Sequence, residues 1–131
     1  MYYYFRYYRK KAIIRNMIKG YLGTEELTYM MKEYIDINEN IGVENKILVL
    51  DTSNLELIKS EVSDMYCEFL ESLSKGKWSI SIIILPESII GSYQLKKFIK
   101  KSGINPVFVN NNKEAINIIK EFSRNKCQNC I

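Results

Sequence analysis

The sequence predicts an α/β fold: an N-terminal β-hairpin, a helix, then strand–helix three times (hairpin followed by βαβαβα). This gives a mostly parallel five-stranded mixed sheet with about four helices. Three observations lead there. Short continuous apolar runs alternate with amphipathic segments from residue 24 onward. Before them lie an aromatic run and a second apolar segment, separated by Arg9-Lys10-Lys11. The 131 residues are 47% hydrophobic and 26% charged, enough for one domain to bury a core without a disulfide or metal.

The first strand is the aromatic run Tyr2–Tyr8, broken by Arg6; the second covers most of residues 12–21. Thr24 caps a helix over residues 24–38, with Glu25 and Glu26 in its positive first turn. Its apolar face is Leu27, Met30, Met31, Tyr34 and Ile35. Residues 46–51 form a short apolar run of the kind that is buried on both faces of a sheet. Val62, Met65, Tyr66, Phe69, Leu70 and Leu73 repeat at helical spacing over residues 60–73. Gly76 is the expected left-handed cap of that helix.

Residues 78–85 form the next strand, stopped by Pro86, with Glu87 and Ser88 opening a helix. Ile90, Leu95, Phe98 and Ile99 give that helix its apolar face, and Gly103 closes it. Val107–Val109 is the last strand. Asn110, Asn111 and Asn112 cap a helix over residues 113–124 with Ala115, Ile116, Ile119 and Phe122 on its inner face. Residues 1–124 make one domain, and the polar tail 125–131 is expected to be mobile.

Composition narrows function by exclusion. The chain has no His, which removes the commonest general base and most catalytic zinc sites. Its net charge of +4 is mildly basic and well short of a nucleic-acid signature. Three cysteines (Cys67, Cys127, Cys130) do not fit a secreted disulfide framework. The isolated pair Cys127 and Cys130 is half of a zinc site and follows a helix rather than opening one. No leader or membrane-spanning run is visible, so the cytoplasm is the expected compartment. No glycine-rich phosphate loop is present, and nothing calls for a cofactor or a metal.

Ligands of open α/β sheets bind beyond the carboxyl ends of the strands. Here those ends carry Asp51, Thr52, Ser53 and Asn54, then Glu87 and Ser88, then Asn110, Asn111 and Asn112. Two of these segments lead into helix N-termini, which favour anions. Capping alone accounts for the Ser and Asn residues. Asp51 at a strand end invites comparison with metal-dependent enzymes and phosphatases, but these need further carboxylates. The other aspartates are Asp36 and Asp64, and Glu87 is the one later glutamate at a strand end. Asp51 therefore reads as a residue that orders a turn.

The element order resembles the STAS family, the sulfate-transporter and anti-sigma-factor-antagonist domains, over about residues 2–124. The features that carry the likeness are Ile18-Lys19-Gly20-Tyr21-Leu22 before the first helix and Ile47-Leu48-Val49-Leu50-Asp51 before a loop and helix. A third is the strand–helix–strand series ending in Asn112-Lys113-Glu114-Ala115. The nearest type is the small stand-alone bacterial protein, some of which are described as STAS or CRAL-TRIO-like. In antagonists of this family an Asp-Ser pair opening the second helix carries regulatory phosphorylation. The matching residues here are Lys59 and Ser60, so the Ser is kept and the Asp is replaced.

The resemblance implies a non-catalytic cytoplasmic regulatory domain, with contacts near Asp51, Thr52, Ser53, Asn54, Lys59 and Ser60. Its partner would be a protein such as a kinase, phosphatase or sensor, or else a small ligand. Two alternatives stand beside it. One is an Asp51-dependent phosphatase or metal enzyme. The other is single-strand nucleic-acid binding through residues 2–11, where aromatic side chains suited to stacking accompany basic ones. The ordinary role of such aromatics is to cover a sheet face. An open hairpin edge also permits a homodimer.

Overall fold

The computed structural model describes residues 1–129, with side chains described through residue 125. Strands β1 (Tyr2–Tyr8) and β2 (Ile13–Gly20) pair antiparallel, joined by a single turn of 3-10 helix at Arg9–Lys11. Then follow α1 (Thr24–Asn40), β3 (Ile47–Leu55), α2 (Ser60–Ser74), β4 (Ile80–Ile84), α3 (Ile89–Ser102), β5 (Val107–Val109) and α4 (Asn112–Asn129). Strands β2 to β5 are parallel, and the strand order in the sheet is the order in the sequence. The predicted α/β architecture is the one observed.

This order decides the layers. Each crossover steps to the next strand in the same direction, so right-handed connections place α1, α2 and α3 on one face. Their inner sides meet Ile14, Ile18, Leu48, Leu50 and Ile83 of the sheet in one cluster. Phe5, Tyr34, Tyr66, Phe69 and Phe98 form a chain of ring contacts through it, with centroids 6.1 to 6.5 Å apart. Each fully buried side chain of this size contributes about 2 kcal/mol of burial free energy. Helix α4 lies alone on the other face, where Ala115 meets Ile82, Ile84 and Val109.

Several local expectations are corrected. Strand β3 does not end at Asp51; it runs on through Thr52, Ser53 and Asn54 to Leu55. The pairing with β2 slips between Met17 and Lys19, so Thr52 and Ser53 together face Ile18. This bulge inverts the alternation of faces and returns Leu55 to the cluster that holds Leu48 and Leu50. Gly76 is not in the left-handed region; glycine is needed there because a Cβ would lie 2.6 Å from the Trp78 indole nitrogen. Trp78 precedes β4 rather than joining it, and its indole N–H donates to the Leu73 carbonyl.

Ile35, Ile90 and Ile116 point outward. Ile37 and Ile118 pack inward on α1 and α4, so each apolar stripe keeps its other expected members and differs at its edge. Helix α4 continues past residue 124 to Asn129. Cys130 lies outside the described residues, as does the side chain of Cys127.

Candidate functional site at the carboxyl end of the sheet

The predicted site residues divide between two faces. Asp51 lies on the α4 face beside Val49 and is 8% exposed. Its Oδ2 accepts from Arg15 Nη2 at 2.6 Å. Its Oδ1 accepts from both the backbone N–H and the hydroxyl of Ser53. Arg15 also donates through Nη1 to Asn112 Oδ1 at 2.9 Å, tying β2 to the start of α4. Thr52 is buried, and its hydroxyl donates to the Ile84 carbonyl. These groups saturate one another. Among the described residues no group of three or more His, Cys, Asp or Glu is placed to hold a metal.

The sequence reading missed Arg15. The signal was available: a basic residue beside Ile14 in a strand that pairs with β3, registered on Val49, two positions before the acid that follows the apolar run. It also missed Asn16, which is 1% exposed and donates to the Tyr4 carbonyl and to Met30 Sδ.

The helix starts behave differently from one another. Ser88 caps α3 through its hydroxyl, which accepts from the Gly91 N–H. Asn111 caps α4 by accepting from the Glu114 N–H, while the Glu114 carboxylate reaches back to the Asn110 N–H. This reciprocal pair works as a capping box. Ser60 caps nothing: Lys59 occupies the N-cap position without a side-chain bond, and Ser60 is exposed in the first turn. The Lys59 ammonium sits 5.1 Å above the Tyr21 ring. A hydrogen bond to Glu56 pushes the Tyr21 phenol above its ordinary pKa.

Beside Ser60 the carboxyl end of the sheet is apolar and open. Leu57 is 43% exposed, Ile90 63%, Tyr93 71% and Ile89 88%. Two shallow depressions of about 400 and 390 Å³ adjoin there, sharing Glu87 and Ser88. The first reaches Tyr21, Asn54 and Leu57, and the second reaches Ile89, Tyr93 and Asn110. The side chain of Gln94 ties α3 to the segment before α2, accepting from the N–H and donating to the C=O of Ile58.

Compared by sequence, the chain matches no protein-family model and no curated protein. Compared by structure, it is similar to a protein of the DUF3478 family with a SpoIIAA-like fold, from Shewanella loihica PV-4. That match has a TM-score of 0.67 at 11% identity and covers 89% of this chain and 93% of the other. It is also similar to the anti-sigma factor antagonist SpoIIAA in its unphosphorylated form. There the TM-score is 0.59 at 12% identity, over 91% of this chain and 98% of that one. The fold is SpoIIAA-like.

A third structure, a Thermotoga maritima protein proposed as an anti-sigma factor antagonist, superposes with a TM-score of 0.60 at 17% identity. It covers 90% of this chain and 94% of that one. The SpoIIAA-like fold is thus matched along nearly its whole length, in agreement with the STAS resemblance of the sequence. No described helix is long and apolar enough to cross a membrane.

Proposed function

We propose that the chain is a non-catalytic regulatory module that binds a protein partner through the carboxyl end of its sheet. The observation that carries this is the set of exposed apolar side chains Leu57, Ile89 and Tyr93 along two adjoining depressions, with Ile90 exposed next to them in the chain. Contiguous exposed apolar surface rimmed by polar groups marks interaction sites. Glu56, Glu87 and Lys59 supply the polar rim. Two of the three neighbours of the fold are named as an anti-sigma factor antagonist and a proposed one, which supports a protein partner. The family resemblance of the sequence suggests a kinase, phosphatase or sensor.

Ser60 is the regulatory position in this reading. Its hydroxyl is exposed and unused as a cap, so phosphorylation would cost the fold nothing. A phosphate there would meet the positive end of α2 and the neighbouring Lys59. The Asp51 enzyme reading is weaker, since every oxygen of that carboxylate is already engaged. The nucleic-acid reading is also weaker: Arg6 stacks 4.3 Å from the Tyr4 ring centroid and covers it.

The test is capture from host lysate with tagged wild-type chain, Ser60→Asp, and Ile89→Ser with Tyr93→Ser. The double variant should lose the captured partner, and Ser60→Asp should change its amount, while all three melt at the same temperature. Equal capture by all three would remove this surface from consideration.

A further inference from the structure

The opposite end of the molecule holds a larger cavity, of about 720 Å³. It opens between the hairpin turn and the second half of α4, beside the first residue of β3. Its floor is apolar: Ala12, Ile47, Ile119 and Phe122. Its rim is basic: Lys10 and Lys11 from the turn, Lys120 and Arg124 from α4. No carboxylate lines it, and none of the four cations is in an ion pair among the described residues. A volume of this size suits a small organic ligand.

The backbone supplies a second, independent observation. Ala12 (φ 53°) and Asn45 (φ 64°) are the only non-glycine residues with positive φ among those described, and both line this cavity. Asn tolerates that conformation, but Ala does not take it readily, and glycine would take it without cost. The chain instead keeps a methyl group in the cavity wall. Strained backbone gathered at one concavity points to a site.

We propose that this cavity binds a single-chain amphiphile with an anionic head, of the fatty-acid type. The alkyl chain would lie on Ile47, Ile119 and Phe122, and the carboxylate would meet the Lys10, Lys11, Lys120 and Arg124 rim. Apolar floor and basic rim are complementary to the two halves of such a molecule, and a simple phosphate or sugar would leave the floor unmatched.

Titration calorimetry with dodecanoate below its micelle concentration tests the site directly. The expected result is saturable binding at one site per chain, with no binding of dodecyltrimethylammonium. Lys10→Glu with Lys120→Glu should weaken dodecanoate by about tenfold or more, the scale of one lost charge-assisted contact. The control pair Lys97→Glu with Lys100→Glu, equal in charge and exposed on α3, should not weaken it. Ser123→Trp, which fills the cavity from an exposed position, should abolish binding without lowering the melting temperature. Ala12→Gly should raise the melting temperature yet weaken dodecanoate. The proposal is overturned by absent saturation, by equal binding of the cationic amphiphile, or by equal weakening in both charge-reversed pairs. Binding to phosphatidylglycerol vesicles without binding free dodecanoate would also overturn it, making the rim a membrane-facing surface instead.

Discussion

Under α1, α2 and α3 one face of the sheet buries twenty described residues in a single cluster, while the face under α4 buries seven. The larger cluster is almost wholly aliphatic and aromatic. The smaller face carries the ion pair of Arg15 and Asp51, the Asn112 bridge and, at its far end, the basic-rimmed cavity. One helix cannot cover a five-stranded sheet, so the ion pair and the open space lie where the cover is thin, while the thick face admits single buried polar groups such as Asn16 and Ser102. The thick face supplies most of the buried apolar surface, and the thin face leaves room for a charged pair whose groups satisfy one another.

The two faces should differ most in what they contribute to stability. Phe69→Ala on α2 removes a ring that touches Phe5, Tyr34 and Tyr66. It should cost about 3–5 kcal/mol in urea unfolding. Phe122→Ala, half-buried under α4, should cost only about 1 kcal/mol, since little of its surface is withdrawn from water.

The next largest effect concerns the polar links. Arg15→Ala leaves the Asp51 carboxylate enclosed without its cation. It should cost about 2 kcal/mol, reduced from the fully buried case because the pair keeps some solvent access. The double change Arg15→Leu with Asp51→Leu should cost less than Arg15→Ala alone in the same assay. A larger loss in the double variant would mean that the pair itself stabilises the fold.

The smallest effect sharpens the contrast through pH. Burial pushes the Tyr66 phenol above its ordinary value of 10.0, and burial raises Tyr34 in the same direction. Both belong to the thick face. A raised folded-state pKa means stability that is complete below the unfolded value and lost as pH climbs toward the folded one. The urea midpoint should stay level to about pH 9 and fall above about pH 10, where unfolded tyrosine ionises. Tyr66→Phe should remove part of that fall.

Much of this was legible in the sequence, for reasons that differ by element. Helix α2 was readable because its periodicity is strong and unbroken, and the hairpin because an aromatic run and an apolar segment flank Arg9-Lys10-Lys11. The end of β3 was not, because Asp51, Thr52, Ser53 and Asn54 look like a loop. They remain in the strand because Arg15, 36 positions earlier in the chain, and the Ile84 carbonyl satisfy them. Ile90 and Ile116 were misplaced because each sits at the edge of an apolar stripe whose other members pack inward. Ser60, Ser88 and Asn111 share a position type in the sequence, and only the hydrogen bonds separate the two caps from the unused hydroxyl. The cavity could not be read at all, since the turn and α4 that form it lie about a hundred residues apart.

The sequential strand order has a consequence for how the chain is made. Every strand joins the edge left by the one before it, and no later segment must insert between two earlier ones. Each new parallel strand closes only the one strand–helix crossover before it, Ile13 pairing with Ile47, Ile47 with Ile80 and Ile82 with Val107, so no pairing spans more than one unit. A chain emerging from the ribosome can therefore add one strand and helix at a time to a growing edge. Its last helix, α4, is the piece that closes the second layer. Until it arrives, Ile82, Ile84 and Val109 stand open, and the nascent chain is most exposed to aggregation in that interval.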